Sequence, residues 1–392
     1  MPERTRLTRF VGGVTAALAA VIVLAAPARA QFYDVDPADI PGKPGTVIRI
    51  AAFENSPAGA QAYRVLYRSV GLDGEPIAVS GTVIHPLGQP PVAGRNVVAW
   101  AHPTTGVARA CAPSRWPLMF DDIPGLTAMI ARGYVVVATD YPGLGTPGPH
   151  PYLIGVSEGR AVLDMVRAAM AMPEPGASER FVVWGHSQGG HAALYTGELA
   201  GQYAPELKLL GVAAAAPATY LGELFASDMD VRTGRALASY AIWSWSRIYH
   251  VPLDTVLVSQ AVPAFERVAA GCIESLNQAL GVALAERPLE QAFLKVNIIR
   301  TEPWMTFIAR NTPGHAPAGM PYFIAQGTAD TTVRPRITAQ FVRALCQQNV
   351  PVRFVRMPGM NHTQIARGAA RAAVAWMADR FAGAPPPNDC RR

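Results

Sequence analysis

A serine stands between glycines at Gly185-His186-Ser187-Gln188-Gly189, directly after the apolar run Phe181–Trp184 and ahead of a helical pattern. In a strand–turn–helix setting such glycines permit a turn sharp enough to lift the serine oxygen clear of the backbone, where it can attack an acyl carbonyl. The five-residue pattern alone is weak, since about one chain in ten of this composition carries it by chance. The strand before it and the helix after it narrow the reading. A serine hydroxyl is a poor nucleophile at neutral pH and needs a base, which in turn needs an orienting acid. Behind a serine in this setting the acid comes next in the chain, and the histidine last. Of the eight histidines only His362, in Pro358-Gly-Met-Asn-His362, follows the late apolar runs. Tyr322–Ala325 leads into Gln326-Gly-Thr-Ala-Asp330, which puts an acid at the end of the preceding strand. Ser187, Asp330 and His362 are therefore the expected catalytic residues. His186 and His191 flank the serine in sequence; the first occupies a variable motif position, and the second is expected to point along the helix.

The tetrahedral intermediate of acyl transfer carries a negative oxygen and needs preorganised N–H donors. The backbone of Gln188 is one expected donor. The second belongs in the loop after an early strand, here Trp100-Ala-His102-Pro103-Thr104-Thr105-Gly106. Pro103 has no N–H, so Thr104 or Thr105 must supply it. Asp140-Tyr-Pro-Gly143-Leu-Gly145 also follows a strand; it shapes the cleft or is a tight turn, and is not read as catalytic.

These residues need a scaffold. The Pro-rich stretch Gln31–Gly45 precedes β-rich segments at Thr46–Ile50, Tyr63–Ser69 and Ile77–Ile84, the last two joined at Asp73-Gly74 as a hairpin. Short apolar runs follow at Val97–Trp100, Tyr134–Ala138, Phe181–Trp184, Leu209–Ala213, Tyr322–Ala325 and Val352–Val355. Helical patterns separate them at Ser157–Met172 (with Ser157 as N-cap), Gly189–Tyr203, Arg336–Gln348 after Pro335, and Thr363–Phe381. Strands alternating with helices imply an α/β fold, a mostly parallel sheet with helices on both faces and ligands beyond the carboxyl ends of its strands. Between Thr219 and Tyr322 the alternation stops. This insertion, 220–318, is helical in pattern and rich in large apolar residues, among them Trp243, Trp245, Trp304 and Phe307. It reads as a subdomain with its own core, and also as a cap over an apolar substrate.

Arg4, Arg6 and Arg9, the uncharged run Val11–Ala26 and Ala28-Arg29-Ala30 form a secretory signal peptide over residues 1–30. Residues 31–392 are then the mature catalytic domain, secreted or in the cell envelope, with no transmembrane segment. Removing the leader takes four Arg and one Glu from a net charge of +6, leaving +3. Only 16% of residues are charged and 50% are hydrophobic, which excludes disorder, and the basic residues form no block that would mark a nucleic-acid site. Cys111, Cys272, Cys346 and Cys390 lie in the mature chain, so export predicts two disulfides in one of three pairings. No C-x-x-C or H-x-x-x-H spacing supports a metal, and the chemistry needs no cofactor.

Taken together the motifs resemble the secretory lipase family of α/β-hydrolases, which includes the fungal lipase A type and exported bacterial members. The likeness spans the mature chain and rests on Tyr63–Pro86, Cys111-Ala-Pro-Ser114, Asp140–Gly145, Gly185–Gly189, Asn311-Thr-Pro-Gly314 and Gly327–Asp330. It implies the α/β-hydrolase fold, a helical lid between strands 6 and 7, and hydrolysis of acylglycerols or other carboxylic esters, taken from solution or a lipid interface. A non-catalytic binding protein and an acyltransferase are the alternatives. The resemblance also implies the pairing Cys111–Cys272, which leaves Cys346 with Cys390. The chain has His-Ser-Gln where fungal members carry a Tyr-Ser-Gly pattern, and threonine in the oxyanion loop where they carry an acid.

Overall fold

The computed structural model describes residues 32–229, 232–274, 276–290 and 293–391; the leader expected at 1–30 lies outside them. Nine strands form one sheet: β1 (Val47–Ala52), β2 (Ala60–Val70), β3 (Pro76–Pro86), β4 (Arg95–Ala101), β5 (Val135–Thr139), β6 (Ala177–His186), β7 (Lys208–Ala215), β8 (Tyr322–Gly327) and β9 (Val352–Met357). Their spatial order is β1-β2-β3-β5-β4-β6-β7-β8-β9. The first three strands and β5 pair antiparallel, and every pairing from β5 through β4 to β9 is parallel. The hairpin expected at Asp73-Gly74 is present, with Val70 opposite Pro76 and Gly74 at φ 90° in the turn.

Between and after the strands run α1 (Leu126–Ala131), α2 (Gly155–Ala171), α3 (Gln188–Tyr203), α4 (Leu221–Asp228), α5 (Arg232–Ile248), α6 (Val262–Ala270), α7 (Leu276–Glu286), α8 (Trp304–Arg310), α9 (Pro335–Gln347) and α10 (Ile365–Phe381). Both faces of the sheet are covered. On β7, a side chain added at Gly211 would strike Trp376 of α10, while Val212 meets Gly197 of α3; neighbouring strand residues point to opposite faces. That is why β5 reads Val-Val-Val-Ala-Thr and is buried throughout, as a strand covered on both sides requires.

One helix start differs from the expectation. Helix α2 begins at Gly155, its N-cap is Ile154 without a side-chain cap, and Ser157 is buried inside the first turn. The first helical N–H, that of Gly155, donates to Asn311 Oδ1 at 3.2 Å, while Glu158 folds back to accept the N–H of Leu153, ahead of the helix, at 3.0 Å. Pro335 does open α9 as anticipated. Counted over all nine strands, helices α4 to α8 stand between β7 and β8, not between strands 6 and 7. Among the described residues no helix is long and apolar enough to cross a membrane.

Candidate active site

The turn between β6 and α3 is built by close backbone approach. A Cβ on Gly185 would stand 2.0 Å from the Gly189 carbonyl oxygen, and one on Gly189 would stand 1.9 Å from that of Ala101. No larger residue fits either place. Ser187 sits at the apex with φ 57° and ψ −117°, a backbone conformation that non-glycine residues adopt only when their surroundings hold them there. Its N–H donates to Ala215 O at 3.0 Å, and the side chain is turned out of the strand at the carboxyl edge of the sheet.

The ends of β8 and β9 bring up the partners. A side chain at Gly327 would collide with Met360 O at 2.2 Å, and Ala329 N donates to that carbonyl at 3.0 Å, so the Asp330 and His362 loops lie against each other. Asp330 is buried. One carboxylate oxygen accepts the N–H groups of Thr332 and Val333, each at 2.9 Å, and the other accepts His362 Nδ1–H at 2.8 Å. With Nδ1 protonated, Nε2 presents its lone pair to Ser187 Oγ, 2.8 Å away. The serine, acid and histidine singled out in the sequence thus form one hydrogen-bonded chain.

His186 and His191 have other work. The His186 ring lies 4.9 Å from that of His362, and its Nε2–H donates to the His362 carbonyl at 2.9 Å. Burial, with His362 beside it, pushes its pKa down to about 3, so it braces the base as a neutral ring. His191 does not point along the helix as expected. It turns into the interface with α2, donating from Nδ1 to Glu158 Oε2 at 2.9 Å and from Nε2 to Asn311 O at 2.8 Å. Glu158 Oε1 accepts Gln188 Nε2 at 2.7 Å, and the same amide nitrogen reaches His150 Nε2 at 3.0 Å. The side chain of Gln188 is thereby clamped from behind. Its backbone N–H opens α3, where the helix itself offers no partner and the dipole favours negative charge.

The Thr104–Thr105 segment borders the same cavity as Ser187 and His362. Thr104 Oγ1 is engaged with Tyr152 OH at 2.9 Å. Thr105 Oγ1 is buried without a hydrogen-bond partner, and Thr105 O accepts Ile273 N at 2.8 Å. Beside it lies the disulfide Cys111–Cys272, one of two, the other being Cys346–Cys390. Asp140 proves to be a buttress rather than a simple turn residue. Its buried carboxylate accepts Ser80 Oγ at 2.6 Å, Ser114 N at 2.9 Å and the Ser114 hydroxyl, while the neighbouring Tyr141 OH donates to His102 O at 3.2 Å.

A cavity of about 320 Å³ opens from Ser187 and His362 between Trp100, Trp116, Met119, Ile123 and Pro124. Ser187 also borders a second, much smaller space of about 30 Å³, walled by Tyr152, Leu153, Leu221, Leu224, Phe225 and Ala238. Sequence reasoning missed Glu158 and His150, met His191 only as a flanking residue, and met Asn311 only within a motif. No local spacing links a helix glutamate to a histidine 33 residues away.

The family model described as secretory lipase matches residues 121–389. Lipase 10 of Candida albicans is 23% identical over 98% of this chain and 87% of its own length. A protein of Mycobacterium tuberculosis described as a probable inactive lipase is 24% identical over 87% of this chain and 79% of its own. The structure of Candida antarctica lipase A in its closed state superposes with a TM-score of 0.73 at 19% identity, covering 93% of this chain and 90% of that one.

Proposed function

Since this chain belongs to the secretory lipase family, and is an extracytoplasmic carboxylic-ester hydrolase on the α/β-hydrolase fold, we propose that it works through Ser187, His362 and Asp330 by way of an acyl-enzyme. The observation carrying this reading is the single histidine bridging a strained serine and a buried carboxylate, 2.8 Å to each. Ser187 Oγ bonds to the acyl carbon as its proton passes to His362 Nε2. The ester C–O bond breaks, and His362 returns the proton to the leaving alkoxide. Water then repeats the sequence, releasing the carboxylic acid and free Ser187. Asp330 holds the ring in the required tautomer throughout. The carbonyl oxygen takes its negative charge against the Gln188 N–H and a donor from Thr104–Thr105, with the unpaired Thr105 hydroxyl as a further candidate.

In this reading 220–318 is the cap over the site, and residues 1–30 are a leader removed on export, leaving Gln31 first, which the intact mass of the exported protein reports. The substrate is an apolar ester, taken from solution or a lipid surface; rates above and below the ester's solubility limit separate the two. The decisive experiment is Ser187→Ala on purified protein. Loss of p-nitrophenyl ester hydrolysis and of fluorophosphonate labelling is expected, and wild-type rates in the variant refute the assignment.

A further inference from the structure

We infer that the preferred substrates are esters of a short acyl group, acetyl to propionyl, with a bulky and largely apolar alcohol. This rests on the triad reading above and adds which arm of the ester lies where. Two cavities meet at Ser187, sharing Leu237 and Thr332 as the neck between them. His362 borders the large one and not the small one. The group that receives a proton in the first half-reaction is the leaving alkoxide, so the alcohol must depart on the side of His362 Nε2. The alcohol therefore occupies the large cavity, and the acyl chain points into the small one.

The sizes then decide the substrate. About 320 Å³ lies at the lower end of the range for small-molecule sites and is lined by Trp100, Trp116, Met119 and Ile123, suited to a ring system or a branched hydrocarbon. About 30 Å³ holds roughly two waters' worth of atoms, enough for a methyl or ethyl group beyond the carbonyl carbon. The wall of the small space is fastened. Helix α5, which supplies Leu237 and Ala238, is tied to the 150–153 loop by Ser244 Oγ to His150 O at 2.6 Å, Tyr152 N to Ser244 Oγ at 2.9 Å and Trp245 Nε1 to Tyr152 O at 2.8 Å. The first two bonds and the Trp245 indole are buried, so parting α5 from that loop to admit a longer acyl chain means breaking them.

The test holds the alcohol constant and varies the acid: 1-naphthyl acetate, propionate, butyrate and octanoate, with ethyl octanoate as the reversed ester. For the wild-type protein kcat/KM is expected to fall about tenfold or more from acetate to octanoate, with ethyl octanoate poorest. Leu224→Ala and Phe225→Ala, on the wall of the small space, should raise the octanoate-to-acetate ratio by about tenfold. Met119→Ala, in the large cavity, should change naphthyl against ethyl preference and leave the acyl ratio alone. If the cap variants fail to fold, the wild-type series decides alone. Ser187-dependent hydrolysis that favours octanoate overturns this inference and spares the triad. Absence of any Ser187-dependent hydrolysis overturns the triad reading and this one with it.

Discussion

Replacing Glu158 by alanine and by glutamine should give two very different proteins. Three donors converge on this buried carboxylate: Leu153 N–H and Gln188 Nε2 at Oε1, and His191 Nδ1 at Oε2. Alanine strands all three and leaves a buried histidine without its acid, a loss of about 3–5 kcal/mol. Glutamine keeps an oxygen where Oε1 was. Its amide nitrogen, facing His191, can donate to Nδ1 in the tautomer that carries its proton on Nε2, and that ring still donates from Nε2 to Asn311 O. Every group remains paired, and the cost should stay below about 1 kcal/mol. At roughly 2 °C per kcal/mol for a chain of this size, thermal unfolding should drop by about 6–10 °C for Glu158→Ala and by 2 °C or less, roughly, for Glu158→Gln. Activity adds a second reading, because the clamp sets the first N–H of the helix beside Ser187. Glu158→Ala should lose about tenfold in kcat with a smaller change in KM, and Glu158→Gln should retain both. Equal destabilisation by the two substitutions, or an alanine variant as stable as wild type, would refute this account.

Asp330→Asn should keep the fold yet lower kcat by about 10⁴-fold, since the amide favours the wrong imidazole tautomer; an ester-hydrolysis assay near wild-type rates contradicts the role. Cys111→Ser with Cys272→Ser opens a link spanning 161 residues, worth up to about 5 kcal/mol by loop-closure entropy. Urea denaturation should show a lower midpoint, and an unchanged one counts against the staple. Burial pushes His186 and His150 down to about 3 and His102 to about 4, against 6.5 when unfolded. The unfolded chain therefore binds protons that these rings refuse, so stability falls as pH drops below 6.5, by up to about 1.4 kcal/mol per histidine per pH unit. Urea midpoints at pH 7 and pH 5 test the sign, and a midpoint that rises on acidification refutes it.

The hydrogen-bonded serine, acid and histidine were legible because each follows a strand, and strands announce themselves as short apolar runs. Chain order then left a single histidine to consider. The hydrophobic stretches of the inner parallel strands β4, β5, β6 and β8 are buried on both faces, so their sequence signal is strong and their positions were read to within a few residues. The start of α2 was misread because a serine near a helix start usually caps it, whereas here the first helical N–H is taken by Asn311, 156 residues on. The buttress behind Gln188 could not be read at all. Glu158, His191 and Asn311 come from three separate elements, and only the packing of α2 against α3 and the docking of the segment after α8 makes them neighbours. The same holds for the unequal spaces on the two sides of Ser187, which depend on where the insertion sets Leu221, Leu224, Phe225 and Ala238.

The Cys111–Cys272 bond joins the loop carrying Thr105 to the helical insertion, and Ile273 N to Thr105 O repeats the join one residue on. A thiol-reducing cytosol would deny the chain that crosslink, and at this edge of the pocket the two segments would be joined by the Ile273 to Thr105 hydrogen bond without its covalent neighbour. Oxidation outside the cytosol is thus also the event that fixes the Thr105 loop against the segment carrying Ile273.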